Sequence, residues 1–298
     1  MEKFLTIFVL LLAGLGLQRV REFPENGAHS LNLFVVYVSL PALILHQLHK
    51  LTFSTELLVP VIMPWFMLII SALLVLAITT LFKWDRKTTG ALLLVVPLAN
   101  TSFLGIPMVE AFFGVDAVSY AVLYDQLGSF LGLATYGSFI LAVYASSEKP
   151  KISAIVKRIF LFPPFIALAV ALATMRFSYP EPLDRMFGII AASLVPAVMV
   201  AVGLQLQLKL EARYVGPFTA GLLLKLVAAP LIALAAVRML GFDSVVAQVC
   251  VFEAGMPPMV TAGALALAAG LAPKLTAALV GYGIIVSFAT LPVLYQLL

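Results

Sequence analysis

Ten long apolar runs, cut apart by short breaks, constrain this chain more than any other feature of its sequence. They fall at about residues 3–18, 29–49, 56–82, 89–113 and 117–145, and then at about 153–175, 184–208, 215–239, 244–269 and 273–297. About 20 apolar residues carry an α-helix across the hydrocarbon core of a bilayer, and shorter runs do so where the bilayer adapts. Breaks such as Arg21-Glu22-Phe23-Pro24-Glu25-Asn26-Gly27 and Lys83-Trp84-Asp85-Arg86-Lys87 read as the connecting loops. Of the 298 residues, 63% are hydrophobic and 11% charged, and the mean hydropathy is +1.11. A soluble domain is about half apolar and a quarter charged. No soluble fold of this length hides so much apolar surface, so the expectation is an all-α integral membrane protein of ten transmembrane helices with lipid as its solvent.

The first run has the look of a signal-peptide core behind Lys3, but no small-x-small cleavage site follows, and it is expected to be a retained span. The net charge of +4 and pI of about 9.2 do not imply nucleic acid, because the basic residues lie in the short loops. Twelve Lys and Arg residues fall on the side of the first, third, fifth, seventh and ninth loops, and five fall on the other side. The positive-inside rule then places the twelve in the cytoplasm and both termini outside. The single cysteine, Cys250, forms no internal disulfide and sits in an apolar helix, where a packing role is expected.

Residues 1–145 and 153–298 each supply five runs, joined by a short cytoplasmic linker at 146–152, and matching features recur about 150 positions apart. Ser39-Leu40-Pro41-Ala42-Leu43 in the second run matches Leu194-Val195-Pro196-Ala197-Val198 in the seventh. Gly105-Ile106-Pro107 interrupts the fourth run, and Gly255-Met256-Pro257-Pro258 interrupts the ninth. Because five is odd, the second copy enters the membrane from the opposite face, giving two inverted five-helix repeats, an architecture common among secondary transporters. Proline removes an N–H and clashes with the carbonyl one turn back, and glycine lets another backbone approach. Freed backbone groups at this depth survive only inside protein or beside a watery cavity. Paired breaks in corresponding spans therefore point to a binding site, where half-helix N-termini present N–H groups to an anion.

The segment Asn100-Thr101-Ser102-Phe103-Leu104-Gly105-Ile106-Pro107 resembles the fourth helix of the auxin efflux carrier family, which includes plant PIN carriers and bacterial carriers of small organic anions. Pro41, Gly203-Leu204, Lys225 five residues before Pro230, and Glu253-Ala254-Gly255-Met256-Pro257 extend the resemblance along the whole chain. The resemblance implies a scaffold of spans 1, 2, 6 and 7 and a transport domain of spans 3–5 and 8–10. It implies fourth and ninth helices that are broken and cross at their prolines, and elevator-like movement of a substrate bound beside the crossing. It maps the family's binding asparagine onto Asn100 and its crossover prolines onto Pro107 and Pro257, with Thr101, Gly105 and Gly255 beside them. The chain departs from the plant carriers in its short linker and in having Asp125 and Glu253 where uncharged polar residues align.

A charge within a span costs several kcal/mol unless paired or wet, which marks each one as a functional candidate. Asp125 and Glu253, entering from the outer face, are expected about 12–14 Å deep, and Lys225 reaches a similar depth from the cytoplasm. Either one of the acids couples transport or binds substrate, or Lys225 pairs with Asp125 or Glu253 as a structural ion pair. The Asn100 amide suits a carboxylate or cation in a helix break, with capping of the half-helix as its alternative role. Tyr282, between Gly281 and Gly283, is placed either at the crossing or in packing. His46 is expected at the interface, and no His, Cys or carboxylate cluster has zinc-ligand spacing.

Enzyme motifs are absent: no phosphate-binding glycine loop, nucleophile elbow or paired zinc motif occurs, and no cofactor is expected. The leading expectation is a gradient-driven secondary transporter of a small organic anion, such as a carboxylate, in a bacterial inner membrane. It would run as a uniporter or be coupled to protons in preference to sodium, with lipid around it and a homodimer admitted. The alternatives are a sodium-coupled symporter of the bile-acid carrier type, and a channel or membrane-embedded receptor.

Overall fold

In lipid only a helix satisfies its backbone hydrogen bonds within one segment, so the positions of Gly and Pro decide where such a chain can turn. The computed structural model describes residues 2–24, 26–49, 51, 54–145, 152–175, 177 and 179–298, and among them the regular structure is helical with no strand. The helices are α1 (Glu2–Leu17), α2 (Gly27–Leu48), α3 (Thr55–Leu81), α4 (Arg86–Val95), α5 (Thr101–Phe113) and α6 (Val115–Tyr144). They continue as α7 (Ile152–Phe160), α8 (Pro163–Thr174), α9 (Glu181–Gln205), α10 (Ala212–Met239), α11 (Val245–Ala254), α12 (Val260–Ala268) and α13 (Pro273–Leu297). Six of these, α2, α3, α6, α9, α10 and α13, are long and apolar enough to cross a membrane. Within α9 the helix turns at residues 192–193. Most of the linker expected at 146–152 lies outside the described residues.

Three corrections to the sequence expectations concern breaks. The run expected as one helix over 153–175 divides at Leu161-Phe162, where Pro163 and Pro164 start α8. The seventh run, expected to continue to 208, leaves the helix after Gln205, with Leu206 extended. The fourth run leaves the helix at residues 96–100, around Pro97, instead of at Gly105-Ile106-Pro107. Pro107 is tolerated inside α5 because the preceding turn, Thr101–Gly105, is widened to a π-helix. The same device precedes Pro41 at Val35–Ser39 and Pro230 at Leu224–Ala228. A wider turn moves the carbonyl with which the proline ring would clash and relieves the missing N–H.

The helices bury small and polar side chains and turn large apolar ones outward. On α13, Thr276, Gly283 and Ser287 are buried while Val286 and Val293 are exposed, and on α3 Ser71 and Thr79 are buried while Ile62, Ile69 and Leu73 are exposed. A soluble helix does the reverse. Contacts divide the helices into two groups. In one, α1, α2, α8 and α9 pack on each other; in the other, α3–α6 pack with α10–α13. Gly14 of α1 and Gly203 of α9 bring those two backbones together: a Cβ on Gly203 would lie 2.8 Å from Gly14 Cα, which no side chain tolerates.

Candidate functional site

The breaks after α4 and α11 meet inside the second group of helices. Asn100 N donates to the Pro257 carbonyl at 2.8 Å and Met259 N donates to the Leu98 carbonyl at 3.0 Å, so Ala99 and Pro258 pair antiparallel. Each break thereby supplies partners for backbone groups that the other has freed, which is how non-helical backbone persists away from water. The first turns of α5 and α12 both begin at this meeting. Pro107, the expected crossover proline, is not part of it; it lines a separate cavity with Glu110.

Asn100 is 2% exposed, and its carbonyl accepts from Leu104 N at 3.3 Å and Gly105 N at 3.0 Å. Its side-chain Nδ2 is buried with no partner, and the side chain makes no capping hydrogen bond. Thr101 Oγ1 and Ser102 Oγ each donate to Asp125 Oδ1 at 2.5 Å, and Gln126 Nε2 donates to Oδ2 at 2.7 Å. Asp125 is thus fully buried with both oxygens served, by three neutral donors and no cation. Ser102 and Gln126 escaped the sequence reading; the only signal for them was their adjacency to Thr101 and Asp125.

Glu253, in the last turn of α11, is fully buried, and neither Oε1 nor Oε2 has a hydrogen-bond partner. Its carboxyl group lies against the Gly105 backbone of α5. Lys225 on α10 is 2% exposed, and its Nζ donates to the Ala254 carbonyl at 3.4 Å. It lies within electrostatic reach of Glu253 but within 4.0 Å of neither acid, so the structural ion pair expected as one alternative is not formed. The carbonyl it contacts ends a helix, where a cation is favourable. Gly255 closes α11, with its N–H shared between the Val251 and Phe252 carbonyls.

The Tyr282 hydroxyl donates to the Leu208 carbonyl at 2.9 Å and its ring packs edge-on to Phe218, while its neighbour Gly283 lies against Pro258. His46 Nδ1 lies 2.7 Å from Asp184 Oδ1, joining α2 to α9. Among the described residues no group of three or more His, Cys, Asp or Glu side chains could hold a metal ion.

A cavity of about 270 Å³ opens beside the crossing. Its polar lining is Ser102, Asp125, Gln126 and Thr261, from α5, α6 and α12, and its apolar wall includes Leu40 and Phe162 from the other group of helices. The Phe130 and Phe162 rings stack at 4.1 Å across its edge, between α6 and the start of α8. A larger cavity of about 470 Å³ lies further along α2 and α5, lined by Leu43, His46, Pro107 and Glu110. The smaller one is the candidate site, because Asp125 with its donors Ser102 and Gln126 and the first turns of α5 and α12 line it, while Asn100, Lys225 and Glu253 are buried beside the crossing outside its lining.

A family model described as a membrane transport protein matches residues 1–295. A curated relative, an uncharacterised transporter from Methanothermobacter thermautotrophicus, is 28% identical over 300 residues, covering 98% of this chain and 96% of the relative. Another, an uncharacterised transporter from Methanocaldococcus jannaschii, is 26% identical over 220 residues, 70% of each chain.

Proposed function

Because the chain belongs to the membrane transport protein family, which includes the auxin efflux carriers, we propose that this multi-pass membrane protein is a secondary carrier for a small organic anion such as a carboxylate. The observation that carries this reading is the cavity of about 270 Å³ where the first turns of α5 and α12 meet. Helix N-termini present N–H groups and the positive end of the dipole, which favour an anion. The unpartnered Asn100 Nδ2, buried next to the crossing and outside the cavity's lining, is a further donor for an anion that enters between the half-helices. Leu40, Phe130 and Phe162 offer apolar contact for the rest of the molecule.

The cavity has walls from both groups of helices, which suits an elevator mechanism. In that reading α1, α2 and α7–α9 form the scaffold, and α3–α6 with α10–α13 carry the site past it. The chain then crosses the membrane ten times as two inverted five-helix repeats, with both termini outside as the twelve-to-five distribution of basic residues favours. A gradient drives transport, with protons favoured over sodium. The test is counterflow of labelled malonate, and of an indole carboxylate, in liposomes holding the purified protein. A carrier gives saturable uptake accelerated by the same anion on the far side. Flux that neither saturates nor responds to trans anion indicates a channel, and dependence on sodium replaces protons as the driving ion.

A further inference from the structure

Two carboxylates stand beside the crossing in opposite surroundings. Asp125 accepts three hydrogen bonds, from Thr101, Ser102 and Gln126, the arrangement that suits an ionised carboxylate. Glu253 is as deeply buried and accepts none. A charged carboxylate without partners in a protein interior costs several kcal/mol, whereas its neutral form costs much less. Lys225 lies within electrostatic reach and offsets that cost only in part, because its Nζ is directed at the Ala254 carbonyl and makes no hydrogen bond to the Glu253 carboxyl group.

We infer that Glu253 is a proton-binding site, neutral in this conformation, while Asp125 is the fixed negative charge of the cluster. This rests on the carrier reading above and names its coupling group. With Glu253 neutral, the buried charges of Asp125 and Lys225 cancel, and an arriving organic anion adds the only net charge, beside two helix N-termini. With Glu253 ionised the cluster is already negative, and the anion meets repulsion. Proton and anion therefore favour each other's binding, reciprocally, and travel together. The proton enters from water on one side, bonds to a Glu253 carboxyl oxygen, and returns to water on the other side once the anion has left. Lys225, held one residue along the chain from Glu253, is placed to meet the carboxylate that remains.

The ionisable groups facing Glu253 are Lys225 from α10, Asp125 and Tyr124 from α6, and Cys250 one turn back on α11, all of them buried. The segments packed on α11 also carry Glu56, Glu110, Asp116, Tyr120, Arg238, Lys274, Tyr282 and Tyr295, all at least partly exposed.

The test is infrared difference spectroscopy of the purified full chain between acid and alkaline pH, which needs no transported substrate. A carboxylic C=O band from a dry site is expected; it should vanish in Glu253→Gln, persist in Asp125→Asn and move on carbon-13 labelling of glutamate. If the Gln variant fails to fold, labelling of the unaltered protein separates glutamate from aspartate, and among the described residues Glu253 is the one buried glutamate that a dry-site band would report. A band that ignores both the Gln substitution and the label, or that sodium abolishes at constant pH, overturns the assignment. Loss of malonate counterflow in a protein that keeps the band would instead count against the carrier reading.

Discussion

The Glu253 carboxyl group and the Gly105 backbone touch across the two broken helices: a Cβ on Gly105 would come within 2.7 Å of Oε1 and nearer still to Oε2. Gly105→Ala should therefore destabilise the protein by about 1–3 kcal/mol, the usual cost of overpacking an interior. Truncating the partner in the double variant Gly105→Ala, Glu253→Ala should recover part of that loss. Thermal unfolding of the two singles and the double would show the coupling; strictly additive effects would mean that the contact carries no energy.

Asn100→Ala should weaken anion binding while leaving the fold intact. The Nδ2 donor has no partner within the protein, so removing it breaks no internal hydrogen bond of that atom. A hydrogen bond to a charged ligand is worth about 1.5–3 kcal/mol, or about 10- to 150-fold in affinity. Unchanged malonate counterflow affinity in the folded variant would remove Asn100 from the site.

Thr101→Val and Ser102→Ala each withdraw one of the hydroxyls that Asp125 Oδ1 accepts from. Each should cost about 1.5–3 kcal/mol of stability, because a buried carboxylate loses a donor. Denaturation in detergent measures it. Adding Asp125→Asn to either variant should make the hydroxyl's loss nearly silent.

Gly203→Val should separate α1 from α9, since a Cβ at this position would lie 2.8 Å from Gly14 Cα with no room to shift. Association of membrane helices depends on close packing of small residues more than on burial from water. A Cys pair introduced across α1 and α9 should cross-link less in this variant, and equal cross-linking would contradict the close approach.

Asp85, in the loop ahead of α4, caps that helix by accepting from Lys87 N at 2.9 Å and Thr88 N at 3.1 Å, and Thr88 Oγ1 adds a third bond at 2.6 Å. Partial burial pushes its carboxyl upward, but the bonds from Thr88 and Lys87 outweigh that and hold it below the ordinary aspartate value. The folded-state value is depressed, so the stabilisation is present above the unfolded value and is lost as pH falls through the folded one. Asp85→Ala should cost about 1 kcal/mol at neutral pH and progressively less in acid below about pH 4. A difference that is the same at neutral and acid pH would show that charge plays no part in the cap.

Hydropathy and helix-breaking residues are local properties, and what they determined is local. They placed apolar runs where α1–α13 lie, set the break at Gly255-Met256-Pro257-Pro258, and put Asp125, Glu253 and Lys225 within spans. Resemblance to the auxin efflux carriers was legible in Asn100–Pro107 and agrees with the family match over residues 1–295. Tertiary structure alone decided where the fourth run breaks. Both Pro97 and Pro107 could have ended the helix, but only the backbone at 98–100 finds carbonyl and N–H partners, on Pro257 and Met259 some 160 residues away. The roles of the charges were also settled in three dimensions: spacing along one helix cannot say that Asp125 meets Thr101, Ser102 and Gln126, that Lys225 turns to the Ala254 carbonyl, or that Glu253 meets no partner. A buried group's charge depends on the polar atoms within a few ångströms of it, and those come from other helices.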